Sequence, residues 1–335
     1  MRKVSTFIVL LTLLLGCGSE KTDAPKEGSQ AESKKLQIAV IPKGTTHEFW
    51  KSIHAGAIKA GRELDAEIVW KGPQKEDDRE QQIQVVQGFI TSKVDGIVLA
   101  PLDAVALVKP VRDAMRAGIP VVVIDSGLEA EVGKDFVSFV ATENYQGGAL
   151  GARRLGELMG GKGNALLLRY QEGSASTDQR EKGFLDTIAK EFPEIKVLSD
   201  NQYAGPTTET GMQTSQRLLS QFNDVQGYYA VNESSTFGSL RALEQDGRAG
   251  KIFFVGFDGS EKLVQGMEEG RIHGLTLQNP FKMGYLGVQA AVAGIRGGSV
   301  EQRIDTGVVM VTPENMNDPE IRQVLLPDLS TYLNE

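Results

Sequence analysis

One cysteine, Cys17, occurs in 335 residues, which excludes an internal disulfide and a cysteine-based metal site. Histidine is almost as scarce. His54 and His273 have no metal-ligand partners at useful spacing, so no zinc site is expected. An excess of basic residues is also missing: the formal charge is -8 and the pI is near 5.2. A binder of phosphate backbones would carry a basic stripe, so nucleic acid is not an expected partner. Gly147-Gly148 and Gly160-Gly161 lack the strand–turn–helix setting of a phosphate-binding loop and read as packing and turn glycines. There is no nucleophile elbow, paired histidine base or metal motif, so neither an enzyme nor a cofactor is expected.

Arg2 and Lys3 precede an apolar run from Phe7 to Leu15, the layout of an export signal and too short to span a bilayer as a mature helix. The ending Leu14-Leu15-Gly16-Cys17 resembles the lipobox of bacterial lipoproteins. That resemblance implies a signal peptide with lipobox over 1–17 that is cleaved ahead of Cys17, a lipidated Cys17 at the new N-terminus, and a protein anchored to a membrane in the periplasm or at the cell surface. Residues 18–35 are small and charged without apolar periodicity, as expected of a flexible tether. The run 75–80 reads as a solvated helix start rather than a calcium loop.

Beyond the tether, short β-branched runs alternate with stretches of helical period, the pattern of βα units and a parallel sheet. Strands are predicted at 36–41, 67–70, 96–100, 120–124 and 136–141, with helices over 49–64, 77–93 and 105–117. After Asn144 the alternation restarts, with strands near 164–168, 196–202, 227–230, 252–257 and 275–278. Two doubly wound parallel-sheet lobes of α/β class fit this better than one long sheet. A helix over 280–294 and a strand over 308–311 remain to complete the first lobe, which makes both domains discontinuous.

In such sheets ligands bind beyond the carboxyl ends of the strands. Those ends carry Lys43, His47, Phe49 and Trp50 after the first strand and Asp125-Ser126 after the fourth. In the second half they carry Ser176-Thr177-Asp178-Gln179-Arg180, Asn232-Glu233, Asp258-Gly259 and Gln278-Asn279. A sugar presents hydroxyls that donate and accept, and C–H faces that act as apolar plates. Carboxylates at Asp125, Asp178 or Asp258 and amides at Asn232 and Gln278 match the hydroxyls, while Phe49 and Trp50 match the plates. Each aspartate is equally placed to cap a helix. Carboxylates gathered in a closed cleft need cations, and Lys43 and Arg180 are placed to supply them.

From Leu36 to about Val311 the chain resembles the type I periplasmic binding proteins of the ribose-binding and autoinducer-2-binding group. The strings that carry the likeness are Ile38-Ala39-Val40 before Phe49-Trp50, Gly118-Ile119-Pro120-Val121 before Asp125, Val225-Gln226 before Asn232, and Val255-Gly256-Phe257-Asp258-Gly259. By that resemblance Phe49, Trp50, Asp125, Arg180, Asn232, Asp258 and Gln278 line a sugar. Two positions depart from a ribose receptor, Ser126 in place of arginine and His47 in place of asparagine. Pro42-Lys43, Gly72-Pro73, Asp125-Ser126 and Thr177-Asp178-Gln179 are similar to strings of the autoinducer-2 receptors, whose matching lysine, aspartates and glutamine hold the ligand. Lys43 is expected to replace the cation missing at Ser126.

The resemblance implies lobes over 36–142 with 279–307 and over 143–278 with 308–335, closing on a hinge around a ribose-like sugar. It implies the solute-binding component of an ABC transporter, a monomer that hands its carbohydrate to a membrane permease. The alternatives are an autoinducer-2-like or sugar-alcohol receptor and service to a sensor or chemoreceptor. A regulator of the lactose-repressor type needs a helix-turn-helix where this chain carries an export signal.

Overall fold

The computed structural model describes residues 35–333. The segments read as an export signal and a tether, with Cys17 between them, lie outside the described residues up to residue 34.

The first half runs β1 (Leu36–Ile41), α1 (Glu48–Leu64), β2 (Ala66–Trp70), α2 (Arg79–Ser92), β3 (Gly96–Leu99), α3 (Val108–Arg116), β4 (Val121–Ile124) and β5 (Ser138–Ala141). The second runs α4 (Asn144–Leu158), β6 (Lys162–Arg169), α5 (Ala175–Glu191), β7 (Glu194–Tyr203), α6 (Thr208–Gln221), β8 (Gly227–Ala230), α7 (Glu233–Gln245), β9 (Phe253–Phe257), α8 (Glu261–Glu268) and β10 (Gly274–Gln278). The chain ends with α9 (Pro280–Ile295), β11 (Arg303–Asp305), β12 (Val308–Val311) and α10 (Pro319–Leu325).

Two sheets of six strands result, ordered β11-β5-β4-β3-β1-β2 and β12-β10-β9-β8-β6-β7. Every pairing is parallel except that of β12 with β10. Successive strand residues face opposite sides, and helices cover both. Ile38 and Val40 pack against α1 and α9, whereas Ala39 and Ile41 pack against α2 and α3. In the other lobe Leu166 and Leu168 face α6 and α7, and Ala165 and Leu167 face α4 and α5. Burial on two faces is why these strands read as continuous apolar runs.

The carboxyl-terminal segments depart from the sequence expectation. The helix α9 does return to the first sheet, packing on β3 and β4. The strand at 308–311 does not: β12 lies antiparallel on β10, with Val308 opposite Gln278 and Val311 opposite Leu275. The first sheet is completed by β11 instead, three half-buried or exposed residues whose sequence Arg-Ile-Asp has no apolar run to mark it.

The chain passes between the sheets after β5, after β10 and after β11, and the three passages are tied together. Thr142 Oγ1 donates to Gln278 Oε1 at 3.1 Å and lies 3.2 Å from Thr306 Oγ1, while Arg303 Nη1 donates to the Ala141 carbonyl at 2.7 Å. Among the described residues no helix is long and apolar enough to cross a membrane.

Candidate functional site

Each parallel sheet directs its strand carboxyl ends toward the other, and the connecting loops bring polar side chains to a small enclosed cavity between the lobes. From the first lobe Lys43, His47, Phe49, Trp50, Glu76 and Asp125 line it; from the second, Tyr170, Ser176, Thr177, Arg180, Asn232, Glu233, Asp258 and Gln278. A wider groove beside Ile90, Met115, Ile119 and Ile295 sits at the opposite ends of β3 and β4, and its only charged lining side chains are Lys93 and Asp95. It offers no converging set of hydrogen-bonding groups.

Two aspartates anchor the cavity. Asp125 follows β4 and Asp258 follows β9, and both adopt the left-handed backbone region, at φ 61° and 71°. Few side chains other than those of Asp and Asn tolerate that conformation, and such strain concentrates at functional sites. Neither residue is the N-cap of a following helix: α8 is capped by Ser260, and Asp125 leads into a loop before β5. Asp125 pairs with Lys43 Nζ at 3.1 Å, both being almost fully buried. Lys43 also donates to Ser174 Oγ at 3.2 Å and Ser176 Oγ at 3.1 Å, across to the second lobe. Asp258 accepts from Gln278 Nε2 at 2.7 Å and the Glu233 amide at 2.8 Å. Burial pushes its carboxyl up, against the nearby Arg180 charge.

Arg180 is buried one turn into α5. Nε donates to Asn144 Oδ1 and Nη1 to the Val231 carbonyl, both at 2.9 Å, and the guanidinium lies 3.8 Å over the Phe257 ring. These contacts fix the cation without using up an acidic partner. Asn232 caps α7, its Oδ1 accepting from the Ser235 amide at 3.2 Å, so the turn that starts the helix also places the amide in the cavity. Phe49 and Trp50 meet edge to face at 4.9 Å and join the apolar cluster beneath them, so both line the cavity and also belong to the core.

Three of the expected residues stand elsewhere. Ser126 is buried behind the wall, where its Oγ accepts from the Ser176 amide at 3.1 Å. Asp178 and Gln179 are turned away, because positions 176, 177 and 180 of α5 share the inward face and 178 and 179 do not. Asp178 is half-buried 4.0 Å from Arg169, and Gln179 is exposed. Of the Thr177-Asp178-Gln179 string, Thr177 alone lines the cavity.

Five residues of the lining were not singled out from sequence. Ser176 and Thr177 belong to a quoted loop. Tyr170 ends the apolar run of β6. Glu76 lies inside the charge run read as a solvated helix start, yet it is buried, with its carboxylate 2.5 Å from His47 Nδ1 and 2.6 Å from both Trp50 Nε1 and Tyr170 OH. A buried indole N–H and phenol that need acceptors were the available signal. Burial would raise Glu76, but the His47 charge and the three donors hold it down to about 2. Burial would lower His47, but Glu76 holds it up at about 9. Glu233 crosses from the second lobe to the amino end of α1, accepting from the Phe49 amide at 2.9 Å and the Glu48 amide at 3.4 Å. Burial pushes it up to about 7, against His47 and these amides.

Residues 38–299 match the family described as the periplasmic binding protein domain. The D-ribose/D-allose-binding protein of Pseudomonas aeruginosa is 29% identical over 325 residues, 95% of this chain and 99% of that one. A carbohydrate transporter solute binding protein from Agrobacterium radiobacter, solved in complex with D-arabinose, superposes with a TM-score of 0.83 at 32% identity, covering 87% of this chain and 99% of its own. An ABC transporter solute binding protein from Agrobacterium vitis with bound D-fucose gives a TM-score of 0.83 at 34% identity over 86% and 99%. Two α/β lobes, a polar cavity between the facing strand ends and a family match over most of the sequence agree: this chain belongs to the periplasmic binding protein domain family.

Proposed function

We propose that this chain is the solute-binding component of an ABC transporter that captures a small sugar outside the cytoplasmic membrane and presents it, enclosed, to a permease. The observation that carries the reading is the pair of buried, left-handed carboxylates Asp125 and Asp258 facing one cavity with Lys43, Arg180, Asn232 and Gln278. Acceptor-only and donor-only groups on opposing walls suit hydroxyls, which do both. The relatives named above bind ribose or allose, arabinose and fucose, so an aldopentose or a related hexose is the expected class. Phe49 and Trp50 are assigned to its C–H faces. The lobes are taken as 36–142 with 279–307 and 143–278 with 308–335. They would open at the three tied passages, and Cys17 would carry the lipid that holds the monomer near its permease.

Thermal unfolding and calorimetry against D-ribose, D-allose, D-arabinose, D-fucose, xylitol and autoinducer-2 test this. A ligand that binds only the folded state at a hundredfold excess over Kd adds about 2.7 kcal/mol. At least one of the aldoses is expected to raise the melting temperature by several degrees. A folded protein free of co-purified sugar that responds to none of them sinks the reading.

Closure also predicts a pH dependence. Glu233 is raised to about 7 where the lobes meet. When they part, water returns and the carboxyl falls toward its ordinary value. The closed state therefore holds more protons, its advantage is complete at low pH and is lost as pH rises through 7, and Asp258 acts in the same direction. Sugar affinity is expected to be roughly tenfold higher at pH 5.5 than at pH 8.0. Glu233→Gln should flatten most of that slope; an equally steep variant would show that another group titrates.

A further inference from the structure

Glu76 enters the cavity from the link between β2 and α2, and the space it needs is left by Gly44, where a Cβ would stand 2.6 Å from the Glu76 Cγ. Both its oxygens are committed within the protein. Oε1 accepts from His47 Nδ1 at 2.5 Å and Trp50 Nε1 at 2.6 Å, and Oε2 accepts from Tyr170 OH at 2.6 Å. Its backbone carbonyl accepts from Gln171 Nε2 at 2.7 Å. Three of its roughly four acceptor positions are taken, against two at Asp258, so this carboxylate has less capacity left for a ligand.

What it leaves for a ligand is the far side of the imidazole. His47 lines the cavity, and the bond to Glu76 occupies Nδ1, so Nε2 projects away from the carboxylate. The charged groups facing the ring are Glu76 from its own lobe and Glu233 and Asp258 from the other, with Trp50 and Tyr170 completing the shell of Glu76. Tyr170 is kept protonated by burial and by Glu76, with Asp77 and Asp125 behind it. The charges that act on His47 are the three carboxylates of Glu76, Glu233 and Asp258, and they outweigh the burial that works against its second proton.

We infer that Glu76 is a specificity-determining positioning residue, which by seating on Nδ1 keeps His47 a two-proton, donor-only group, so that the site selects sugars presenting an acceptor oxygen at that wall. An asparagine at position 47 would offer both a donor and an acceptor there. A neutral imidazole would offer either, according to its tautomer. The inference rests on the sugar-binding reading and adds to it the polarity of one wall.

Side-chain spectra of the three histidines over pH 5 to 8 give a readout that a merely structural role would not move. His47 is expected to stay doubly protonated throughout in the wild type, and in Glu76→Gln to titrate near the ordinary imidazole value of about 6.5. A wild-type His47 that loses its proton below pH 7, or a variant with unchanged titration, overturns the inference.

Calorimetry with D-ribose, D-allose, D-arabinose and D-fucose at pH 5.5 and 8.0 provides the second arm. Glu233 and His47 face each other, so both proteins carry Glu233→Gln in this arm, and the quantity read is the ratio of variant to wild-type Kd. It should grow roughly fivefold between the two pH values, the difference between a charged and a neutral donor. In the wild type, one monofluoro derivative of the tightest of these sugars should also bind roughly fivefold better than its deoxy counterpart, since fluorine accepts but cannot donate. His47→Leu, which removes the donor and leaves Glu76 in place, should close that gap even if Glu76→Gln fails to fold. A constant ratio, or no fluoro-against-deoxy gap at any position, overturns the inference while leaving the sugar reading intact. A wild type that binds none of the four sugars removes both.

Discussion

Asp258→Asn is expected to lose at least a hundredfold in sugar affinity while unfolding within a few degrees of the wild type. The two halves of that result have different causes. Asparagine tolerates the left-handed backbone at φ 71° as aspartate does, so the turn after β9 is not strained. Alanine at the same place would add about 1 kcal/mol of backbone cost and confuse the measurement. In the closed cavity, however, Asp258 takes donors on both oxygens, from Gln278 Nε2 and the Glu233 amide, and faces the Arg180 charge. An amide can accept on one side only, and its NH2 would be pressed against one of those donors. Arg180 would then stay buried with less compensating charge.

A hundredfold is about 2.7 kcal/mol. Truncating one member of a buried, hydrogen-bonded charged set costs about 2–5 kcal/mol, so the figure is at the low end. Calorimetry with the sugar that gives the largest thermal shift decides the matter. Wild-type affinity in Asp258→Asn would remove this residue from the binding machinery.

Gly148→Ala should lower the melting temperature by roughly 5–10 °C and weaken sugar binding together with it, although the residue is distant in sequence from most of the cavity wall. The helices α4 and α5 cross with their backbones in contact. A Cβ at Gly148 would stand 1.9 Å from the Arg180 carbonyl oxygen and 2.9 Å from its Cα, and one at Gly183 would stand 2.1 Å from the Tyr145 carbonyl. Backbone cannot rotate out of the way as a side chain can, so α5 must move by about an ångström or more. Overpacking of this kind costs about 1–3 kcal/mol and occasionally more. The displaced segment carries Arg180, whose bonds to Asn144 and Val231 fix the cation in the cavity. Gly88→Ala is the internal comparison: it is exposed in α2, its Cβ meets nothing within 4 Å, and the change should raise stability by about 0.5–1 kcal/mol. If both variants melt together, the close crossing is not what limits this lobe.

Sequence reading and tertiary structure part company at identifiable places. Strands buried on both faces announce themselves as apolar runs, and the polar residues that end them, Lys43, Asp125, Asn232, Asp258 and Gln278, stand at the cavity because a parallel sheet gathers such ends on one side. Asp178 and Gln179 sit two and one residues from Arg180, and the helical turn separates them from it: a string is linear, whereas the inward face of α5 is a stripe that holds 176, 177 and 180 and leaves 178 and 179 outside. Glu76 fails in the opposite sense. Its neighbours Lys75, Asp77, Asp78 and Glu80 make it look solvated, and only the approach of His47 and Trp50 from the start of α1 and of Tyr170 from the end of β6 makes it buried.

Local sequence by itself determined the alternation of strands and helices, the α/β class, the restart after Asn144 and the kinds of side chain at each strand end. Those features depend on near-neighbour periodicity and on the rule that a buried strand must be apolar, so they need no knowledge of distant contacts. Only the tertiary structure decided that β12 pairs with β10 while β11 completes the other sheet, that Glu76 joins His47 to Tyr170 across the lobes, and that Glu233 caps a helix from the other side of the cavity. Each of these is a pairing between residues far apart in the chain, and its free energy comes from burial and hydrogen bonds that exist only once those distant segments have met.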